Sequence, residues 1–254
     1  MKRLDQVLVE WGWAPTRSKA QQMISAGEVQ VLTPGGWITA TRASLRTGEG
    51  PQFVRVVPNS NTLRYVSRGG LKLESALDRL QLNPSGWRCC DIGISTGGFT
   101  DCLRQRGAAA VLGVDVGHDQ LHANVRADPA VLALEGVHVR DMVSDPRVQR
   151  WMRGGIQLCV GDLSFISVGS VLPELSRLLP LETLLLLLVK PQFEVGAAHL
   201  DKRGIVRNTQ LYDDVKSRVL RGLEKCGFSS LNYFPCEVKG QDGNQEFFAY
   251  ARRC

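Results

Sequence analysis

Apolar positions change their period several times along the chain, and each change marks an element. Leu4, Val7, Leu8 and Trp11 recur at helical spacing, which predicts a short amphipathic helix ending near Gly12. Thr16 is placed to cap a second helix, with Ala20, Met23 and Ile24 as its apolar stripe and Gly27 as its stop. Val29–Leu32 and Trp37–Thr39 flank Pro34-Gly35-Gly36, a hairpin pattern, and Phe53–Val57 reads as a further strand. Two helices and a few strands in so short a span predict a small α+β module.

The pattern then shifts to alternating strands and helices. Leu71, Leu73, Leu77 and Leu80 drive a helix, and five apolar strands follow at 89–92, 111–115, 131–134, 158–165 and 184–189. Helices are expected at 99–106, 121–126, 168–179 and 211–226, and Leu231–Cys236 and Glu246–Ala251 read as a closing pair of strands. This alternation predicts an α/β, Rossmann-like, mostly parallel sheet of about seven strands. The polar, turn-rich Pro58-Asn59-Ser60-Asn61-Thr62 is the best boundary, so residues 1–60 and 68–254 are expected to be separate domains joined by 61–67.

Composition narrows the class. At 43% hydrophobic and 22% charged residues the chain reads as globular rather than disordered. Residues 1–64 hold eight Lys/Arg and four Asp/Glu, against 23 and 21 in the remainder, so the smaller module carries most of the net +6. That imbalance hints at a nucleic-acid handle. Arg3, Arg17 and Lys19, with Lys2, are expected to project from the first two helices toward phosphates, although a solvated face fits the same residues. Seven cysteines form no CxxC pair, which suggests a reduced, cytoplasmic chain without structural zinc. The N-terminus lacks a signal-peptide core, and Leu184–Val189 is far short of the ~20 apolar residues that span a bilayer.

The chemistry centres on Cys90-Asp91-Ile92-Gly93-Ile94-Ser95-Thr96-Gly97-Gly98-Phe99-Thr100-Asp101, a strand, a glycine loop and a helix start. Ligands bind at the carboxyl ends of such strands, and glycines let them lie against the backbone. The G-x-x-x-G-G order fails the dinucleotide fingerprint. An acid inside the strand suits instead a ligand with an ammonium group, such as the methionine half of S-adenosylmethionine. Asp91, Gly93, Ser95, Thr96, Gly97 and Gly98 are therefore the expected cradle. Asp115 and Val116 follow at the place where an acid grips ribose hydroxyls, and Asp141 would accept from an adenine amino group. His138 reads as a wall residue, since no second set of ligands is spaced to complete a metal site. Asp162 and Lys190 fall at the ends of two further strands; a lysine at the tip of so apolar a strand would be partly desolvated, which favours its neutral form.

These motifs carry a resemblance. Arg3-Leu4-Asp5, Trp11-Gly12, Thr16-Arg17-Ser18-Lys19-Ala20 and Ala26-Gly27 resemble the S-four RNA-binding domain, departing from it at Thr33-Pro34-Gly35-Gly36. Tyr65–Glu74, Asp91–Asp101, Val114–Leu121, Asp162–Ser167, Lys190–Gly196 and Gly243–Phe247 look like the TlyA (haemolysin A) family of RNA 2'-O-ribose methyltransferases, related to the FtsJ/RrmJ class. His138 and Asn208 stand where that family tends to have Asn and Asp.

The resemblance implies S-adenosylmethionine as cofactor and a Lys-Asp-Lys-Glu set, filled here by Lys72, Asp162, Lys190 and Glu246. It implies ribosomal RNA, or a ribosomal subunit, as partner and cytidine as the modified nucleotide. Lys190 is expected as the base that takes the hydroxyl proton, Asp162 as its orienter, and Glu246 as the group that holds Lys72 and the ribose. Arg68 joins Arg3, Arg17 and Lys19 as an expected RNA contact. Three other readings stay open: a non-catalytic ribosome-assembly factor, a cytolysin, and a methyltransferase for a small molecule or protein. The intact four-residue set, the lack of a spanning segment and the basic N-terminal module speak against them in turn.

Overall fold

In the computed structural model, the structure describes residues 2–48, 50–57, 64–240 and 243–254. It divides into two compact units, residues 1–66 and 67–254. The boundary expected over 58–62 lies outside the described residues.

In the first unit, helices α1 (Leu4–Glu10) and α2 (Arg17–Ser25) pack against a three-stranded antiparallel sheet in the order β2-β1-β3, made of β1 (Val29–Thr33), β2 (Gly36–Thr39) and β3 (Val54–Val56). Thr16 Oγ1 accepts from the Lys19 amide at 3.2 Å, the expected N-cap. Leu4, Val7, Leu8, Ala20, Met23, Ile24, Val29 and Val31 form the core, as their periodicity requires. The last strand is shorter than predicted, because Pro51–Phe53 turns as a 3-10 helix before it.

The second unit is one seven-stranded sheet in the order β6-β5-β4-β7-β8-β10-β9. Its strands are β4 (Arg88–Ile92), β5 (Ala110–Asp115), β6 (Val131–Glu135), β7 (Leu158–Gly161), β8 (Leu184–Val189), β9 (Phe228–Pro235) and β10 (Phe247–Arg253). β4 to β8 run parallel, and β10 pairs antiparallel with both β8 and β9. Burial on both faces explains why β4, β5, β7 and β8 read as apolar runs, whereas the edge strand β6 is only partly buried. Helices α3 (Gly69–Leu80) and α4 (Gly98–Gln105) bracket β4, and α9 (Leu211–Lys225) packs near β9. The shorter helices are α5 (Ala123–Arg126), α6 (Pro146–Met152), α7 (Leu172–Leu178) and α8 (Pro191–Glu194).

Strand order reverses at β4: the chain leaves it toward β5 and β6, then returns to β7 on its other side. A crevice opens outside the carboxyl ends of strands at such a switch point. Asp91 and Asp162 sit there, near the end of β4 and just after β7. β7 stops at Gly161, opposite Ile92 where its partner β4 ends and Gly93 turns left-handed, rather than running on to Phe165, which is itself left-handed at φ +64°.

Candidate active site

The glycine loop is built around backbone conformations that side chains resist. Gly93 lies at φ +82° and Gly97 at φ +93°. A Cβ on Gly93 would stand 3.1 Å from the Asp162 carbonyl oxygen, so the glycine lets the ends of β4 and β7 close on each other. Gly98 begins α4 against α3; a Cβ there would collide with Ser67 Oγ and lie 3.0 Å from the Gly70 amide. Ser95 is left-handed without being glycine, at φ +46°, and its amide donates to Asp115 Oδ2 at 2.8 Å. Asp115 Oδ1 accepts from the Gly117 amide at 2.8 Å. This one carboxylate therefore ties the glycine loop to the loop that follows β5. Thr96 is exposed at the rim, Val116 is 59% exposed, and Asp141 is exposed in a 3-10 turn beyond β6.

Asp91 is fully buried. Its Oδ2 accepts from Thr100 Oγ1 at 2.7 Å, whereas Oδ1 has no hydrogen-bond partner among the described residues. Burial pushes its carboxyl up to about 7, opposed by the Thr100 hydrogen bond and reinforced by Asp162. An orphaned carboxylate oxygen next to bare glycine backbone is the complement of a ligand that brings an ammonium group. The residues present fit such a ligand.

The four expected catalytic residues assemble in two pairs. Lys72, on the buried face of α3 beside Leu73 and Ala76, donates to Glu246 Oε2 at 2.6 Å. Both are nearly out of solvent, with side-chain exposures of 10% and 3%. Lys72 is therefore not a solvated helix lysine. Lys190 Nζ stands 2.7 Å from Asp162 Oδ1, close enough to pair charge but at an angle that is not a hydrogen bond; its hydrogen bond goes to Ser164 Oγ at 2.7 Å. Register joins the pairs. Phe247 is opposite Val189 in the antiparallel β8–β10 ladder, so the residues just outside it, Glu246 and Lys190, face each other at the sheet's edge.

The expected RNA contacts of the first unit are also brought together, by a residue that periodicity did not single out. Asp5 is fully buried; Arg3 Nε donates to its Oδ1 at 3.0 Å, and Arg17 and Gln21 to its Oδ2 at 2.9 and 2.8 Å. The Arg3 hydrogen bond, ahead of those from Gln21 and Arg17, holds its carboxyl far below the usual range against the opposing effect of burial. Both arginines remain about half exposed although their guanidinium groups are tied to Asp5. Lys19 Nζ donates to the Tyr65 carbonyl at 3.0 Å, and Lys2 pairs with Glu10 at 2.7 Å. In the second unit Arg68 Nη2 donates to the Lys239 carbonyl at 3.1 Å.

Sequence reading missed three residues here. Glu194 is buried; its Oε2 accepts from Ser167 Oγ at 2.7 Å and its Oε1 from the Val168 amide at 2.8 Å. It thus ties the loop after Asp162 to the short helix that Lys190 begins. Phe165 is 90% exposed, and its ring centroid lies 5.1 Å from that of Phe193. Asp162-Leu163-Ser164-Phe165 gave a signal for this, since a phenylalanine three residues beyond an acid at the sheet's carboxyl edge has little core to enter. Asn244, buried at 2% exposure, is the third.

Residues 65–253 match the FtsJ-like methyltransferase family, and residues 2–31 the S4 domain. Over 250 residues the chain is 37% identical to the 16S/23S rRNA (cytidine-2'-O)-methyltransferase TlyA of Mycobacterium tuberculosis, covering 98% of this chain and 89% of the relative. It is 34% identical to hemolysin A of Brachyspira hyodysenteriae, with 98% of each chain covered. A Streptococcus thermophilus structure provisionally described as a hemolysin superposes with a TM-score of 0.73 at 34% identity, over 99% of this chain and 88% of that one. A Listeria monocytogenes structure provisionally described as an S-adenosylmethionine-dependent methyltransferase shares the fold alone, at 14% identity and a TM-score of 0.53 over 72% of this chain and 99% of that one. Among the described residues no helix is long and apolar enough to cross a membrane. With a family match that takes in the whole second unit and relatives alike from end to end, the chain belongs to the TlyA family of FtsJ-like methyltransferases that carry an N-terminal S4 domain.

Proposed function

We propose that the protein moves a methyl group from S-adenosylmethionine to the 2'-hydroxyl of a cytidine ribose in ribosomal RNA, acting in the cytoplasm on the RNA or on a ribosomal subunit. The observation that carries this reading is the pair of lysine–carboxylate contacts, Lys72–Glu246 and Lys190–Asp162, at the carboxyl edge beside the glycine loop. The names of the relatives support the substrate. Seven free cysteines suit a reducing compartment.

Asp91 would hold the cofactor's ammonium through its unpartnered Oδ1, the backbone of Gly93–Gly98 would lie along the methionine arm, and Asp115 with Val116 would meet the ribose and adenine. Asp141 would accept from the adenine amino group. When bound, the cofactor supplies an electrophilic methyl on a positively charged sulfur. A ribose hydroxyl is a poor nucleophile at neutral pH, so a base within hydrogen-bond reach is required. Lys190 Nζ would take the hydroxyl proton, with Asp162 and Ser164 orienting the amine. Lys72, fixed by Glu246, orients the ribose oxygens. Phe165 offers an exposed ring three residues beyond Asp162, on which an unstacked base can lie. Arg3, Arg17, Lys19 and Arg68 would meet phosphates and fix the RNA's position without reading its sequence.

Methyl transfer from labelled S-adenosylmethionine to unmethylated ribosomal subunits tests the reading. Wild type should label the RNA and Lys190→Ala should lose at least about a hundredfold in rate, the ordinary worth of a general base. Turnover by Lys190→Ala near the wild-type rate would remove the assigned role.

A further inference from the structure

Residues 199–207 fold back as a small hairpin beside the catalytic edge. The Arg207 amide donates to the His199 carbonyl at 3.0 Å, Leu200 bridges Val206, and the Asp201 amide donates to the Ile205 carbonyl at 2.8 Å. Asp201 Oδ1 accepts from the Arg203 and Ile205 amides at 2.7 and 2.8 Å, so the hairpin's one acid is turned into its own tip. Buried Asn244 then pins the hairpin from beneath. Its Oδ1 accepts from the Val206 amide at 3.1 Å and its Nδ2 donates to the Gly204 carbonyl at 3.0 Å. Two residues on, Glu246 holds Lys72, so the same short loop carries the hairpin and a catalytic carboxylate.

This pinning decides which side chains face out. Val206 is 5% exposed and Leu200 half-buried, so their face is turned inward; side chains alternate along an extended pair, and Arg207 and His199 are exposed on the other face. Lys202 and Arg203 are exposed at the tip. Three cations are thus held out on a rigid support; Asp201 lies near enough to Arg203 and Arg207 to feel their charge, but no carboxylate among the described residues is hydrogen-bonded to the three side chains. A hairpin needs no such charge to fold, and the buried Asn244 amide, hydrogen-bonded at both ends, fixes where the hairpin stands.

We infer that Lys202, Arg203 and Arg207 form a phosphate-binding edge in the catalytic unit, which grips the backbone of the RNA strand as it enters the Lys72–Glu246 side of the site. The inference rests on the RNA-methyltransferase reading above and adds a contact surface to it that is separate from the S4 domain.

The test combines Lys202→Gln, Arg203→Gln and Arg207→Gln in the full chain and measures binding to unmethylated ribosomal RNA across a salt series, together with KM and kcat for methyl transfer. Each lost phosphate contact lowers the slope of log affinity against log salt by about one, so the slope should fall by about two to three. KM for RNA should rise roughly tenfold as the electrostatic contribution shrinks, with kcat, cofactor affinity and melting temperature near wild type. An unchanged salt slope and KM overturn the inference. The slope is read without turnover, so a wild type that binds RNA steeply but methylates none would defeat the proposed reaction while leaving the hairpin measurement intact.

Discussion

Lys72 and Glu246, 174 positions apart in the chain, form a buried ion pair with Nζ 2.6 Å from Oε2. The contact joins α3, before β4, to the loop that enters β10. Glu246→Ala leaves the ammonium buried without its counter-charge, a loss of about 3–5 kcal/mol for pairs of this kind. Lys72→Met with Glu246→Gln removes both charges and should recover most of that stability while methyl transfer stays lost. Denaturant unfolding of the single and double variants measures the difference; a double variant as unstable as the single would show that packing, not charge, sets the effect.

Cofactor affinity should depend on pH through Asp91. Its carboxyl is raised from 3.8 to about 7, so the free folded chain keeps a proton there which an ammonium ligand must displace. Affinity therefore rises as pH climbs toward about 7.5, up to the point where the ligand's own amine begins to lose its proton. Between 3.8 and about 7 the folded chain holds this proton and the unfolded chain does not, so Asp91 makes the ligand-free protein less stable as pH rises through that window. Calorimetric titration at several pH values checks this. Asp91→Asn should bind weakly and with a flat profile, and a wild type with an equally flat profile would contradict the assignment.

Glu194 touches no reacting group in this reading; it positions the two loops that bear Asp162 and Lys190. Glu194→Ala should lower kcat about tenfold or more while KM for RNA changes little, since misplacing a base by an ångström is costly. Glu194→Gln keeps one acceptor and should recover part of the rate. A loss confined to thermal stability would reduce Glu194 to a structural role.

Gly93 and Gly86 have similar backbone strain, at φ +82° and +76°, but different surroundings. Alanine at Gly86 meets nothing within 4 Å, whereas at Gly93 it presses on the Asp162 peptide. Each substitution should cost about 1 kcal/mol for the left-handed backbone. Only Gly93→Ala should also weaken cofactor binding and methyl transfer. Equal effects of the two on activity would mean that the close approach of β4 and β7 has no part in the site.

Much of this was legible in the sequence because it rests on local periodicity. The five parallel strands announce themselves as apolar runs, and Gly93, Gly97 and Gly98 mark the loop by their spacing. What escaped depends on partners distant in the chain. Asp5 looks like an ordinary first-turn acid until Arg3, Arg17 and Gln21 converge on it. Glu194 and Asn244 look like loop residues until Ser167 and Val206 arrive across the fold. Lys72 was placed by resemblance, since a lysine between leucines on a helix gives no sign of Glu246. The turn at Phe165 escaped for a different reason: a left-handed phenylalanine contradicts the strand pattern around it.

The central claim is tested most directly by where the methyl group lands. Ribosomal RNA labelled by the wild-type protein would be digested to nucleosides and resolved by mass spectrometry. The account predicts 2'-O-methylcytidine, absent when Lys190→Ala replaces wild type. A methyl group on a base would contradict it, because the Lys72–Glu246 and Lys190–Asp162 pairs would then be acting on a different nucleophile.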